Sequence, residues 1–291
     1  MAEFELIEQV VKRLGGSDKM FGITLGSGDD AAQLTGGAWP LVTTDTLVEG
    51  VHWDPAYSSL TDVGFKLLSV NLSDIAAMGG EPGPMLLSFT FPTPLQKDRI
   101  VDLTEGIRLC RSAHGLTEDN NAAIGGDLTT SHGVTVLTMT LFGRAVNSGR
   151  VIKRKGGKTG DDLWVSGPLG SAAAGLAALQ AGLKTDADYS TLVSRHLRPL
   201  AQLSLGGLLS QQQHVHALID LSDGLAGDLP HLIEKVGMGA EVFTDQLPHC
   251  PALNHLARRL KHNPLDWMLS GGEDFQLLCA ADPCSRDLLS E

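Results

Sequence analysis

Asn71-Leu72-Ser73-Asp74-Ile75-Ala76-Ala77-Met78-Gly79-Gly80 is the stretch on which the fold reading turns. It closes a helical pattern that runs from Thr61, a plausible N-cap, to Met78, where Gly79-Gly80 and Pro82 end it. Asp74 shares a face of this helix with Leu67, Asn71 and Met78, although Asp is a poor helix former. A carboxylate held among apolar neighbours needs a reason. Upstream, Trp39 to Thr44 reads as a strand running into Asp45, and downstream Met85 to Phe91 reads as a second strand.

The pattern continues outward in both directions. Phe4, Ile7, Val11 and Leu14 predict a helix ended by Gly15-Gly16, followed by the glycine turn Gly26-Ser27-Gly28-Asp29-Asp30. Residues 98–114 predict another helix, Ala122-Ala123-Ile124 rises into a tight turn at Gly125-Gly126-Asp127, and Val134 to Phe142 is strand-like. The basic, Gly-rich segment Asn147 to Lys158 marks a boundary between domains 1–148 and 149–291. Beyond it come a strand Leu163 to Ser166, a helix Ser171 to Ala181, and a strand His216 to Ile219 feeding Asp220-Leu221-Ser222-Asp223-Gly224. A helix to about Val236 and strands Ala240 to Thr244 and Asp274 to Ala280 complete an α+β, two-domain reading.

The bulk composition sets limits. At 291 residues, two domains are expected, since about 100–200 residues make one. No apolar run approaches the ~20 residues of a membrane helix. Glu3, Glu5 and Glu8 make the N-terminus too acidic for a signal peptide, and the four cysteines lack C-x-x-C spacing. A cytoplasmic address without disulfides follows as the expectation. A formal net charge of −12 argues against nucleic acid. It still permits a polyphosphate ligand, provided divalent cations stand between the two sets of negative charge.

Two nucleotide motifs fail on context. Gly157-Lys158-Thr159 resembles the end of a P-loop, but Ile152 occupies the place of the first glycine and a strand follows rather than precedes it. Gly26 to Ala31 fits G-x-G-x-x-A, yet Thr35-Gly36-Gly37 interrupts the long helix that a dinucleotide fold requires. After Asp127, the acidic spacing of a calcium EF-hand is missing. What remains is a set of aspartates: Asp29, Asp30, Asp45, Asp74, Asp127, Asp220 and Asp223. Singly, most read as Asx turns or N-caps. Together they would repel one another unless a cation joined them, and an all-oxygen set with Thr hydroxyls nearby suits Mg²⁺ and phosphoryl chemistry.

Six blocks carry a resemblance. Gly28-Asp29-Asp30-Ala31-Ala32, the run from Thr43 to Trp53, Asn71 to Gly79, Gly125-Gly126-Asp127, Asp220 to Leu225 and Ser270 to Phe275 resemble, in order, the thiamine-monophosphate kinase family. The resemblance implies the fold of aminoimidazole ribonucleotide synthetase-like enzymes: an N-terminal α+β domain forming a β-barrel at a homodimer interface, a C-terminal α+β domain, and ATP in the cleft. It implies ATP-dependent phosphorylation of thiamine monophosphate by direct transfer.

The resemblance also implies roles by position. Asp30, Thr43, Thr44, Asp45, Asp74, Asp127, Asp220 and Asp223 stand as ligands of several Mg²⁺ ions. Gly126, Asp127, Arg154 and Ser222 stand as ATP contacts, His52 and Glu273 as contacts to thiamine monophosphate, and Asp29 as a supporting group. Asp45, Asp74 and Arg154 carry the catalytic load, Arg154 by offsetting phosphate charge. Family members run somewhat past Glu291, and that tail would supply a final strand-helix segment and an aromatic residue that stacks on the thiamine ring; either the molecule is a shortened homologue or the tail is absent from this sequence. The alternatives are an aminoimidazole ribonucleotide synthetase-like or selenophosphate synthetase-like activity, or an inactive nucleotide- or metal-binding homologue. The first cysteine is Cys110, which argues against the N-terminal reactive cysteine of selenophosphate synthetases.

Overall fold

The computed structural model describes residues 23–25, 29–146, 150–233 and 239–290. The expected N-terminal helix, the turn residues Gly26, Ser27 and Gly28, and the end of the helix expected to reach Val236 lie outside them. Strands β1 (Ile23–Leu25), β2 (Ala32–Leu34) and β3 (Leu41–Val48) lead into helix α1 (Leu60–Ala77). Then follow β4 (Gly80–Pro92), α2 (Lys97–Ala113), β5 (Ala123–Ser131) and β6 (Val136–Ala145). These strands form one six-stranded sheet in the order β1-β2-β3-β6-β4-β5, antiparallel except for the parallel β4–β5 pair. Among the described residues the sheet is open, with β5 along one edge, and forms no closed barrel.

The second half holds β7 (Asp162–Val165), α3 (Ser171–Gln180), α4 (Ser190–Leu197) and α5 (Leu203–Ser210). It continues with β8 (Val215–Asp220), α6 (Leu225–Ile233), α7 (Pro251–Leu260), α8 (Pro264–Ser270), β9 (Leu277–Ala281) and α9 (Arg286–Leu289). Its sheet is antiparallel, in the order β7-β9-β8. Among the described residues no helix is long and apolar enough to cross a membrane.

Helix α1 is the axle of the molecule. Its cap is Ser59, not Thr61: the Ser59 hydroxyl accepts from the Asp62 N–H at 3.1 Å, and Asp62 accepts from the Ser59 N–H at 3.2 Å. This reciprocal capping box outweighs a lone threonine. From Asp62 to Ala77 every residue is buried except Asp74. A Cβ on Gly64 would lie 1.9 Å from the Leu103 carbonyl oxygen, so α1 and α2 pack backbone to backbone. Ala76 and Ala77 join Ile152, Leu209, Val215 and Leu277 in a core between the two sheets.

Several local expectations change. Strand β3 does not stop before Asp45; it runs on to Val48, because Asp45 pairs with Met139 inside a continuous ladder to β6. Asp127 is not at a tight turn but midway along β5, paired with Ser88. A Cβ on Gly126 would stand 1.8 Å from the Leu87 carbonyl oxygen, so the double glycine permits close parallel pairing rather than a bend. No strand forms over 240–244; a short 3₁₀ turn, Thr244–Gln246, begins at its end. The strand expected from Asp274 starts only at Leu277, since Glu273 and Phe275 take positive φ values of 67° and 49°.

Candidate functional site

Alternation along β3 turns Thr43 and Asp45 to the face covered by α1, and Thr44 to the opposite face. Thr43 donates its hydroxyl to Asp74 Oδ2, and Thr43 Oγ1 also lies 3.3 Å from the Asp30 carbonyl oxygen. The turn before β2 brings in Asp30, and the C-terminal end of β8 brings in Asp220 from the other half of the chain. Ser73 on α1 steadies Asp220, its Oγ donating to Asp220 Oδ2 at 2.6 Å. Carboxylate oxygens of Asp30, Asp74 and Asp220 thus come within 4.8 Å of one another.

Four carboxyls in so small a space are held toward their protonated forms. Burial, then the Asp220 charge, push Asp30 from 3.8 up to about 7, against the pull of Arg154. Burial raises Asp220 to about 6, opposed by the Ser73 bond. Asp74 rises well above the ordinary carboxylate range through burial and the charges of Asp45, Asp220 and Asp30. Asp45 is raised by burial and eased by a hydrogen bond with Asp74.

Arg154 completes the cluster. Its Nη2 donates to Asp30 Oδ1 at 2.5 Å, while its backbone N–H donates to Asp29 Oδ1 at 3.1 Å. Two atoms are left over: Asp30 Oδ2 and Arg154 Nε are both buried without a hydrogen-bond partner. A buried acceptor and a buried donor on paired side chains, both unsatisfied, are costly as they stand. A cation beside the first and an anion beside the second would satisfy both.

Beside this cluster opens a cavity of about 370 Å³, lined by His52, Tyr57, His196, Ser222, Asp223 and Glu273. Glu273 accepts from Lys66 Nζ at 2.8 Å and has His196 Nδ1 at 3.3 Å. Burial pushes Glu273 upward, but the His196 contact and the Lys66 charge outweigh it and hold the carboxyl at about 2. His52 accepts the Val48 N–H on Nδ1 at 3.0 Å, which leaves Nε2 for a ligand. Gly272 is obligatory here, because a Cβ would meet the Ser222 carbonyl oxygen at 2.3 Å. Asp274, next to Glu273, serves the scaffold instead. It accepts the N–H groups of Gly170 and Ala172 at 2.5 and 2.9 Å, capping α3.

The structure therefore gathers Asp30, Thr43, Asp45, Asp74, Asp220 and Arg154 in one place, and His52, Ser222, Asp223 and Glu273 in the adjoining cavity. Three predicted ligands stand apart from the carboxylate trio. Asp127 is exposed on edge strand β5, as is Gly126. Asp223 is exposed at the cavity mouth. The Thr44 hydroxyl donates to the Met139 carbonyl at 3.0 Å on the far face of β3. Sequence reasoning missed Lys66, His196 and Asp228. The first was detectable: like Asp74, Lys66 is a charge inside an apolar helix. Asp228, raised by burial to about 7, accepts the Asp223 N–H at 3.0 Å and so shapes the loop after β8. Nothing in the spacing of His196 or Asp228 sets them apart from surface residues.

Residues 28–145 match the AIR synthase related protein, N-terminal domain, and residues 158–288 match the AIR synthase related protein, C-terminal domain. The thiamine-monophosphate kinase of Salmonella typhimurium is 36% identical over 297 residues, covering 99% of this chain and 85% of that protein. That of Bacillus subtilis is 35% identical, covering 95% and 82%. A solved structure described as AaThiL complexed with AMPPCP and TMP superposes with a TM-score of 0.84 at 31% identity, covering 96% of this chain and 85% of that one.

Proposed function

The chain belongs to the thiamine-monophosphate kinase family, with the two-domain fold of AIR synthase-related proteins, and from that premise we propose that it transfers the γ-phosphoryl group of ATP to the phosphate of thiamine monophosphate. An oxygen of the acceptor phosphate forms the new P–O bond as the bond to the β–γ bridging oxygen breaks, and ADP leaves. The acceptor is already an oxyanion, so no general base is needed, and positioning with charge compensation supplies the catalysis. The observation that carries the reading is the pair of unsatisfied buried atoms, Asp30 Oδ2 and Arg154 Nε, within the aspartate cluster.

The all-oxygen donor set and its mutual repulsion fit Mg²⁺ held by Asp30, Asp74 and Asp220, with Asp45 and Thr43 supporting. Bound there, Mg²⁺ would supply the positive charge that offsets the ATP phosphates. Arg154 meets phosphate through its free Nε. His52 steadies the acceptor phosphate, and Glu273, already ionised, faces the cationic ring system. From Lys66 to Asp74 is eight residues of α1, about 12 Å, a fitting span between acceptor and cluster. Asp223, in the loop after β8, would join as a further ligand once nucleotide and metal are bound, Asp127 and the Thr44 backbone would contribute from their places on strands β5 and β3, and Gly126 and Ser222 would line the ATP path.

We take the domain boundary at 148/149, between β6, which ends at Ala145, and β7, which begins at Asp162. The N-terminal half would pair with a second copy through its exposed edge strand β5, where Ile124 is 62% and Leu128 49% exposed, to build the barrel. The decisive experiment measures ADP formation with and without thiamine monophosphate. Turnover that needs the acceptor supports the kinase reading; ATP hydrolysis indifferent to it supports another superfamily activity.

A further inference from the structure

At the opposite end of β8 from Asp220 lies a second group of donor atoms, made of His214, Asp282 and Cys284, all within 4.8 Å of one another. Six residues of strand separate His214 from Asp220, about 20 Å, so this group has no part in the phosphate chemistry. We propose that it is a binding site for a soft divalent cation of the Zn²⁺ class.

Thiolate, imidazole and carboxylate together are the ligands of Zn²⁺, and are unsuited to Mg²⁺. Their spacing fits the same ion. Cys284 Sγ lies 3.4 Å from His214 Nδ1. Bond lengths of about 2.3 Å to sulfur and 2.0–2.1 Å to nitrogen at a tetrahedral angle require about 3.6 Å. The pair needs almost no movement to close on an ion.

The three residues are also held rigidly. The Asp282 N–H donates to the His214 carbonyl at 2.9 Å, continuing the β8–β9 pairing past the strand ends. Asp282 Oδ1 accepts the Cys284 N–H at 2.9 Å, which fixes the thiol beside the carboxylate. The nearby His216 is engaged elsewhere, with Asp161 at 2.9 Å and Lys158 at 2.9 Å.

Cys284 is exposed, which gives the ion a route in. On binding, the thiol proton leaves to solvent and the new thiolate, the imidazole lone pair and the carboxylate take three positions, with water in the fourth. Two anionic ligands balance the charge of the ion. Cys110 makes the contrast. It too meets a histidine, His114 at 3.5 Å, but it is buried and belongs to no such trio among the described residues.

The test is a Co²⁺ titration of the whole chain in excess Mg²⁺, following the thiolate-to-cobalt charge-transfer band. One equivalent should produce the band, and Zn²⁺ should abolish it. Cys284→Ser should remove it, and His214→Gln should weaken Co²⁺ binding at least about tenfold, the loss that even outer-shell changes can cause. Cys110→Ser should leave it intact. No band, or a band that survives Cys284→Ser in folded protein, overturns the proposal. So does Co²⁺ affinity unchanged in His214→Gln, since the trio would then be a plain S–H···N hydrogen bond.

Discussion

Lys66 and Glu273 form an ion pair, Nζ to Oε1 at 2.8 Å, that ties the axle helix α1 to the loop before β9 across the two halves of the molecule. The Lys66 side chain is only 3% exposed, and its ammonium also reaches the His52 carbonyl oxygen at 3.4 Å. The pair both stitches the domains and aims Glu273 at the cavity. Lys66→Met should destabilise the protein by about 3 kcal/mol, the usual penalty for leaving one member of a buried pair alone. Adding Glu273→Gln should recover part of that loss. Urea unfolding measures both, and a single variant within about 0.5 kcal/mol of wild type would show the pair to be dispensable. The same pair sets an acid limit. Glu273 is lowered from 4.5 to about 2, so its contribution is complete above pH 4.5 and is lost as pH falls toward 2. In Glu273→Gln, that portion of the acid destabilisation should disappear from melting curves taken between pH 5 and pH 2.

The aspartate cluster has the opposite sign. Asp30 and Asp228 are raised from 3.8 to about 7 and Asp220 to about 6. Between pH 4 and 7 the native state keeps protons that the unfolded chain has lost, so metal-free protein should lose stability as pH rises through that window. Mg²⁺ has to displace those protons. Its stabilising effect should therefore be larger at pH 8 than at pH 5, measured as the shift in Tm between Mg²⁺ and EDTA. Equal shifts at the two pH values would place Mg²⁺ somewhere other than this cluster.

Asp74→Asn keeps the volume and removes one ionisable carboxyl from the crowded cluster. Turnover should fall by at least about a hundredfold, the scale of losing one electrostatic stabiliser. Without metal, however, the variant should melt higher than wild type above pH 4, because the amide needs no proton to take its place in the fold whereas the Asp74 carboxyl does. A fully active, folded Asp74→Asn would remove Asp74 from the site.

His52→Ala should raise KM for thiamine monophosphate more than KM for ATP, and free thiamine, which brings no phosphate to anchor, should not be phosphorylated. If the loss instead falls on ATP alone, the two substrates are placed the wrong way round.

Ile124→Lys with Leu128→Lys should convert a dimer into a monomer in sedimentation analysis. A wild-type monomer at micromolar concentration would end the dimer proposal outright.

Local patterning was enough to establish the α+β alternation and the family, and to single out the odd residues. Asp74 was legible because helix periodicity is local: a carboxylate on an apolar face contradicts its surroundings whatever lies beyond. Lys66 carried the same signal. The folded chain decided which aspartates meet. Asp30, Asp74 and Asp220 come from a turn, a helix and a strand end, and their convergence depends on α1 packing between two sheets. It decided that Thr43 faces inward while Thr44 faces out, since a shift of one residue in register reverses both. It turned Asp127 from a turn residue into an edge-strand residue, because parallel pairing with β4 is a non-local choice that two glycines merely permit. And it put His214 beside Cys284, 70 residues apart in the chain, where the ends of two paired strands happen to bring a thiol and an imidazole together.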